Sequence, residues 1–428
     1  MSLSPTVSMA PDAFVPVRGP RWQHLQRIAS MALFLLPALL LSTPLNLLPF
    51  GLLLGVSSLF GFDYLWRARA QAGGAGRLLV ALAMAVLALG ALSVWLTGLP
   101  LRDLDNPSRF LVMPWVLLWV CAFRPKMPAL WWGAWFGLLA TLLVAGFQLA
   151  NGWKRADGWT NAIVLADVAL VLMTVLVFCR PPGRWAWIAV GLAVGGLVIL
   201  CTGSRGVWPA LLALLVATVF SIRRGRSHVW LAGLAGALLV AVTLVVSIPQ
   251  LREHTRLDEL RSDVQRIERG DVDSSAGARL ERWQVAWDAF ARQPWSGVGI
   301  GHFDRAMQHL PDCRQPVQEE RCHLGHAHND LAEWAATLGI PGLVLLLAIY
   351  GLPLAMFVCL HRRSGEDGFH GPAAAGIMLV VAYVLCGLTQ SMFAHQLTTG
   401  TYTVLVGMLA GLSRVTAAER RRGGLAQG

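Results

Sequence analysis

The stretch His326-Ala327-His328-Asn329-Asp330 runs directly into Leu331–Leu360, an apolar segment in which Glu333 is the only charged residue. Such a segment is long enough to cross a lipid bilayer as one helix. An imidazole pair at its beginning lies at the membrane–water boundary, where polar groups are costly to place and so are often functional. The two histidines are therefore the first candidates for a functional site.

Apolar segments of this kind recur along the whole chain. Hydrophobic residues make up 55% of the sequence and charged residues 14%, and the apolar runs are roughly 14–22 residues long, which is typical of polytopic helical membrane proteins. The sequence predicts an all-α fold, a single polytopic domain over residues 1–428 with about twelve transmembrane helices. No small-residue cleavage site follows the first apolar run, so we expect that run to remain in the protein. The predicted spans are Ile28–Thr43, Pro44–Phe62, Leu78–Leu99, Phe110–Phe123, Ala129–Ala150, Ala162–Cys179, Trp185–Cys201, Val207–Ile222, Val229–Ile248, Leu331–Leu360, Ala373–Phe393 and Gly400–Val415.

Loops rich in basic residues alternate with loops that are poor in them. By the positive-inside rule, the rich loops and both termini are cytoplasmic. The long polar loop of residues 249–330 then faces the periplasm. This distribution accounts for the net charge of +11 and argues against a nucleic-acid partner. The rich side contains Arg18, Arg21, Arg27, Arg67, Arg69, Arg77, Arg124, Lys126, Arg180, Arg184, Arg223, Arg224, Arg226, Arg362, Arg363, Arg420, Arg421 and Arg422.

The predicted periplasmic loop divides into three parts. Leu251–Glu268 has apolar residues at a spacing of three to four, which predicts an amphipathic helix against the membrane lipids. A second helix is predicted over Ala276–Arg292, after the capping residues Ser274 and Ser275. The third part, Phe303–Leu324, has no periodicity. The apolar positions of the second helix form one stripe: Leu280, Trp283, Trp287 and Phe290.

Two short features of this loop carry further expectations. Cys313 and Cys322 have eight residues between them, and we expect them to be oxidised to a disulfide in the periplasm, with free thiols as the alternative. The glycine-rich segment Gly297–Gly301 neither follows a strand nor opens a βαβ unit, so a nucleotide-binding loop is disfavoured. A tight turn whose backbone approaches the membrane surface is favoured instead.

Three arginines lie where they could bind an anionic substrate. Arg205, in Ser204-Arg205-Gly206, joins two predicted spans with almost no loop, so its side chain is held at the surface. It is interpreted as a fixed cation for a substrate phosphate, or alternatively as an interfacial arginine that contacts lipid. Arg279 and Arg282 lie near the beginning of the second loop helix, where the helix dipole favours anions. For Arg282 in particular, a solvated helix face is the alternative.

His328 directly precedes a predicted helix, with Asn329 as a possible N-cap. The helix dipole and nearby arginines disfavour the imidazolium form, so the ring is expected to be neutral and able to act as a general base. Asp330 and Glu333 either orient a histidine or interact with the helix dipole. Farther along the chain, three polar residues near the last outward turn fit either a functional site or a helix contact: Gln390, His395 and Gln396.

A zinc site is an alternative use of the same histidines. His323, His326 and His328 lie within six residues, and Cys322 is adjacent. Zinc would, however, occupy the nitrogen that base catalysis needs, and carboxylates that could complete a site are scarce. We therefore expect no metal and no other cofactor.

The histidine pattern resembles a known motif. His328-Asn329, followed after nine residues by Gly339 and after two more by Gly342, is similar to the histidine signature of bacterial O-antigen ligases. The Ser204–Gly206 turn resembles a second motif of that family, and so do two further patterns. The topology is also similar over the whole chain, because a large periplasmic loop precedes the histidine-bearing span. The two further patterns are Arg279…Trp283…Ala286 and Pro294…Gly297-Val298-Gly299.

The resemblance implies a glycosyltransferase with two lipid-anchored substrates. It would move an O-antigen glycan from undecaprenyl diphosphate to a sugar hydroxyl of lipid A-core on the periplasmic face, with inversion and without a metal. His328 would be the general base, and His326 would assist or orient it. Arg205 and Arg279, with Arg282, would bind the diphosphate, which is already a good leaving group.

Two other interpretations stay open. The arginine patterns are shared with O-antigen polymerases and protein O-oligosaccharyltransferases, so they support the superfamily more than the subfamily. A secondary transporter belongs to a different functional class. Few charges lie at mid-depth of the spans, and no pair of broken helices stands out in corresponding halves, which argues against a transporter.

Overall fold

The computed structural model describes residues 19–182, 184–221, 275–310, 313, 322, 325–364 and 368–425, and every regular element in these residues is a helix. The all-α prediction is therefore confirmed for this part of the chain. The longer helices are α1 (Pro20–Leu39), α2 (Leu48–Phe60), α3 (Phe62–Thr97), α4 (Val112–Phe123), α5 (Met127–Ala150), α6 (Ala162–Phe178), α7 (Trp185–Thr202), α8 (Trp208–Phe220), α9 (Ser275–Arg292), α10 (Asp330–Arg363), α11 (Pro372–Gly387) and α12 (Gln396–Leu425).

Several of these helices have the length and composition of membrane spans. In the described residues, five helical segments are long and apolar enough to cross a bilayer, and shorter apolar helices accompany them. The predicted ninth span, Val229–Ile248, and the first loop helix, Leu251–Glu268, lie outside the described residues. The count of about twelve spans and the extent of the loop 249–330 remain predictions. The five long segments are Phe62–Thr97, Leu101–Phe123, Met127–Ala150, Asp330–Arg363 and Gln396–Arg421.

The centre of the bundle is formed by helices that are apolar on all sides. Every residue from Val164 to Phe178 of α6 is buried, which is the pattern of a helix surrounded by other helices. Small residues permit close packing of the backbones: a Cβ atom on Gly137 of α5 would lie 2.0 Å from the carbonyl oxygen of Pro37 in α1. Such contacts are typical of helix pairs in membranes.

The loops collect at two ends of the bundle. At one end, which we call the histidine end, the side chain of Asn106 donates to the carbonyl of Phe393, and His302 Nε2 lies 2.9 Å from Asp103 Oδ2. At the opposite end, Arg21 pairs with Asp63 at 3.0 Å. The histidine end comprises residues 98–109, 151–161, 203–207, 293–310, 325–329 and 388–395.

A break in α10 anchors the glycine-rich turn. Gly339 adopts φ 65°, ψ −152° inside the helix, a region that is essentially restricted to glycine. Around this break, the N–H groups of Val298 and Gly299 donate to the carbonyls of Ala336 (2.9 Å) and Thr337 (3.0 Å). The backbone of this turn thus pairs with α10, and its approach to the membrane surface remains a prediction. The predicted span Leu331–Leu360 corresponds to α10, which is kinked at Gly339.

The second loop helix is confirmed, with bounds Ser275–Arg292. Its predicted apolar stripe, however, does not face the bundle, since the side chain of Trp287 is 67% exposed and Leu280 and Trp283 are also exposed. Instead Val285, Ala286 and Ala289 are buried in a satellite core. Small side chains allow α9 to lie close to α10, which explains why the alanine face of α9 packs inward. The core also contains Val298, Phe303, Ala306, Met307, Ala327 and Ala336.

The predicted disulfide is present. Cys313 and Cys322 are bonded, with their Cα atoms 5.4 Å apart. Both cysteines are buried. The bond closes a segment that leads directly to the histidine pair.

Candidate functional site

Three imidazoles and one amide form a cluster at the histidine end. The ring of His326 lies 4.2 Å from that of His328 and 4.8 Å from that of His395, measured between centroids. Gln390 lies between His328 and His395, bonded to both. Four groups that can exchange protons or hydrogen bonds thus share one small volume. We call these four residues the imidazole cluster.

The backbone around His328 fixes the direction of its ring. His328 has φ +53°, a left-handed conformation that is uncommon for a residue other than glycine and is tolerated somewhat better by histidine. The flanking residues hold it in place. Ala327 is buried, and its N–H donates to Glu333 Oε2 at 2.7 Å. Asn329 donates its N–H to Ser391 Oγ at 3.2 Å and caps α10 by accepting from Ala332 N–H at 3.0 Å.

The two carboxyl groups at the beginning of α10 connect loops. Glu333 accepts from Ala327 N–H, and Asp330 accepts from the hydroxyl of Tyr350 at 2.6 Å and from Phe393 N–H at 3.4 Å. Neither group forms a hydrogen bond with an imidazole among the described residues. They therefore act on the histidines through the backbone, by joining residues 325–329 to residues 391–393.

The surroundings of the three histidines favour their neutral form. Burial, followed by the charge of His326, lowers the pKa of His328 from its usual 6.5 to about 3, and Arg282 and Arg279 contribute to this shift. Burial, with His395 as the next cause, lowers the pKa of His326 to about 4, and burial lowers that of His395. The expected neutral imidazole is thus supported, although burial is the main cause and the arginines are secondary.

Two ring nitrogens of the cluster have no hydrogen-bond partner in the described structure, which makes them the first atoms to consider for substrate recognition. Nδ1 of His328 contacts Gln390, whereas its Nε2 has no hydrogen-bond partner within the described part of the chain. Nδ1 of His326 is buried, again without a partner among the described atoms. Of these two nitrogens, Nε2 of His328 is the one that a ligand could reach.

Arg279 and Arg282 of α9 are close enough to the imidazoles to affect their titration. Arg282 is more than half buried, and burial together with the charge of Arg279 lowers its pKa. The satellite core explains this placement, because α9 is packed against α10 through Ala286 and Ala289, on the side that carries the arginines. Two of the three predicted arginines are therefore at the imidazole cluster.

The turn that carries Arg205 packs against the residues that precede Gln390. A Cβ atom on the neighbouring Gly206 would collide with the hydroxyl of Thr389, so only glycine lets the two turns pack together. Thr389 directly precedes Gln390. The turn of Arg205 therefore lies beside the turn that supplies the cluster's amide, and all three predicted arginines belong to the histidine end.

Arg155 is a residue that sequence reasoning missed. Its Nε donates to the carbonyl of Thr202 at 2.7 Å and its Nη2 to Ser204 Oγ at 3.1 Å. It thereby braces the turn that carries Arg205. The signal for it was a pair of basic residues, Lys154-Arg155, in a loop that was predicted to lie on the basic-poor side.

The zinc alternative loses one of its ligands, because the sulfur of Cys322 is engaged in the disulfide. Among the described residues, no group of three or more histidine, cysteine, aspartate or glutamate side chains is arranged to hold a metal ion. His323 lies outside the described residues.

Comparison with known proteins bears on the same segment. Residues 188–347 match the family model described as O-Antigen ligase, and this stretch includes Arg205, α9 and both histidines of the motif. An uncharacterized protein of Haemophilus influenzae is 23% identical over 308 residues, which cover 69% of this chain and 76% of that protein. With the apolar helices, the family indicates an integral membrane glycosyltransferase of ligase or polymerase type. The match, over residues 188–347, confirms the resemblance to O-antigen ligases that the motifs predicted.

Proposed function

We propose that the protein transfers an O-antigen glycan from undecaprenyl diphosphate to a sugar hydroxyl of lipid A-core, at the periplasmic surface of the inner membrane and with inversion. The observation that carries this proposal is a partly buried His328 whose Nε2 has no hydrogen-bond partner in the described structure, with Arg279 and Arg282 close enough to affect its pKa. A base and a cationic diphosphate site are the two parts that such a reaction needs. Their position at the end of the bundle suits substrates that are both anchored in lipid.

In the proposed step, the acceptor hydroxyl oxygen bonds to the anomeric carbon of the donor sugar as the bond from that carbon to the diphosphate oxygen breaks. The hydroxyl proton moves to Nε2 of His328. The bonding electrons leave with undecaprenyl diphosphate, whose added negative charge is stabilised by Arg205, Arg279 and Arg282. The imidazolium then releases its proton to the departing diphosphate or to water, which restores the base.

Donor binding would also adjust the strength of the base. An imidazole with a pKa of about 3 is neutral at neutral pH, but it is a weak proton acceptor. A diphosphate beside His328 adds negative charge and offsets the fields of Arg279 and Arg282, and both effects raise the pKa of the ring. The base would therefore be strongest when the donor is in place. His326, whose ring centroid lies 4.2 Å from that of His328, would assist or orient the base.

The test is transfer by purified, reconstituted enzyme with undecaprenyl-diphosphate-linked glycan and lipid A-core, in excess EDTA. We expect His328→Ala to lower kcat about 10²- to 10⁴-fold, the usual contribution of a general base. His309→Ala, which removes an exposed histidine at the same end, should leave kcat unchanged. Near-normal transfer by His328→Ala would contradict the proposal. Activity lost in EDTA and restored by zinc or magnesium would contradict the arginine mechanism.

The same assay separates the alternatives. Supplying only the lipid-linked donor tests for a polymerase, because a polymerase would lengthen the glycan on undecaprenyl diphosphate. Supplying an acceptor protein tests for a protein O-oligosaccharyltransferase. Covalent attachment to lipid A-core, in preference to both, supports the ligase, and a secondary transporter would form no covalent product in any arm.

A further inference from the structure

Gln390 is the amide of the imidazole cluster, and it is almost completely buried, with 1% of its surface exposed. Its Oε1 lies 2.6 Å from Nδ1 of His328, and its Nε2 lies 2.9 Å from Nε2 of His395. A buried amide costs free energy unless its groups are bonded. Both of its ends are used here on imidazoles, which makes it a link between two rings.

The chemistry of the amide dictates the protonation of both rings. A carbonyl oxygen can only accept, so Nδ1 of His328 must carry the hydrogen and the neutral ring has its lone pair on Nε2. An amide nitrogen can only donate, so Nε2 of His395 accepts and the hydrogen of that ring is on Nδ1. The lone pair of His328 is thereby placed on the nitrogen that faces away from Gln390.

His395 determines which way the amide points. If the amide were rotated by half a turn, its NH₂ group would meet Nδ1 of His328, and the lone pair would move to the wrong nitrogen. A neutral His395 that presents a lone pair opposes this rotation. Burial, which lowers the pKa of His395, disfavours the imidazolium, whose Nε2 could only donate and would favour the rotated amide. The other charged or titratable groups around His328 are His326, Arg279 and Arg282, with Asp330 and Glu333 beneath.

We infer that Gln390, oriented by His395, is a positioning residue that fixes the tautomer of His328 so that Nε2 is the proton acceptor. The inference rests on the proposed function, since it assigns a role in the action of His328 as base. It adds a partner that lies 62 positions away in sequence. Neither Gln390 nor His395 needs to contact the substrate.

Two substitutions at Gln390 separate positioning from mere packing. In Gln390→Met the side chain keeps its approximate length but forms no strong hydrogen bond to either ring. The hydrogen of neutral His328 is then distributed between Nδ1 and Nε2. We expect kcat to fall by at least about 10-fold, and by less than the roughly 10²- to 10⁴-fold cost of losing a general base. KM for the donor should change little, because Gln390 does not touch the donor.

Gln390→Glu should act differently. The carboxylate still accepts from Nδ1 of His328, so the tautomer is retained, but its negative charge raises the pKa of the ring. Activity falls as the pH drops through the working pKa of the base, because the imidazolium cannot accept a proton. The acidic limb of kcat/KM should therefore move to higher pH by about one unit or more. A residue that only packs would not move this limb.

Gln308→Met is the control, since Gln308 is an exposed glutamine at the histidine end, and it should retain the wild-type rate and pH profile. Wild-type kcat in Gln390→Met, or an unshifted acidic limb in Gln390→Glu, would overturn the inference. If those results are found while His328→Ala is inactive, the role of His328 as base is retained and only the role of Gln390 is rejected. Full activity in His328→Ala would instead remove the proposed function itself, so the two failures are distinguishable. If Gln390→Met fails to fold, the position of the acidic limb of kcat/KM in Gln390→Glu tests the inference.

Discussion

Arginine, rather than lysine, occupies all three cationic positions assigned to the proposed site. A guanidinium presents a planar fork of N–H donors that can hold two phosphate oxygens at once, and it keeps its charge when it is partly buried. Arg282 illustrates the second property: burial lowers its pKa, yet a guanidinium remains protonated at neutral pH. The choice of residue thus fits a diphosphate ligand in a half-buried site.

Replacement of Arg205 or Arg279 by lysine should therefore be poorly tolerated. An ammonium group retains the charge and loses the fork, so we expect kcat/KM for the donor to fall about 10- to 100-fold for each lysine variant, and further for alanine. Arg292→Lys, at an exposed position of the same helix as Arg279, is the control and should be unaffected. Steady-state kinetics with varied donor gives the comparison. Full activity of Arg205→Lys combined with Arg279→Lys would show that only bulk charge matters.

Among the helices, α10 has a special role because its break joins it to α9. The carbonyls released around Gly339 accept from the glycine-rich turn, and Pro294 of that turn accepts from Ile340 N–H at 2.7 Å. Since α9 carries Arg279 and Arg282 and α10 begins beside His328, these bonds set the distance between arginines and imidazoles. The presence of glycine at position 339 of the histidine motif is therefore explained by backbone geometry, without any contact with substrate.

Gly339→Ala tests this junction. A Cβ atom at Gly339 would lie 2.3 Å from the carbonyl oxygen of Pro294, and the backbone conformation is one that alanine adopts only with strain of about 1–3 kcal/mol. We expect a lower midpoint of thermal unfolding and reduced transfer. Gly351→Ala, in the same helix and with nothing within 4 Å of its Cβ, should be neutral or slightly stabilising, by up to about 1 kcal/mol. Equal midpoints for the two variants would show that the break does not matter.

At the scale of the whole molecule, successive loops in the described structure alternate between the two ends of the bundle, as the distribution of basic residues predicted. Gln26 donates to the carbonyl of Arg124 and Arg414 to that of Gln71 at the end opposite the imidazole cluster. The loops at the histidine end include those predicted to face the periplasm. The sidedness itself remains a prediction, which labelling can test.

Cysteine labelling of spheroplasts addresses the sidedness, in a Cys359→Ser background that removes the exposed thiol. Gly325 at the histidine end and Gly74 at the opposite end both have open space around a Cβ atom. We expect Gly325→Cys to react with a membrane-impermeant maleimide, and Gly74→Cys to react only after permeabilisation. Gly351→Cys, in the apolar part of α10, should stay unlabelled in both cases. The reverse pattern would place the imidazole cluster in the cytoplasm.

The sequence by itself determined the all-α class, the approximate bounds of the helices, the disulfide and the motif residues, because each depends on local periodicity, composition or spacing. Only the tertiary structure decided which face of α9 packs inward, that α10 breaks to receive the glycine-rich turn, and that Arg155 braces Ser204. It also decided that Gln390 meets His328. These contacts join residues far apart in the chain, and their geometry follows from how helices pack, which a local pattern does not encode.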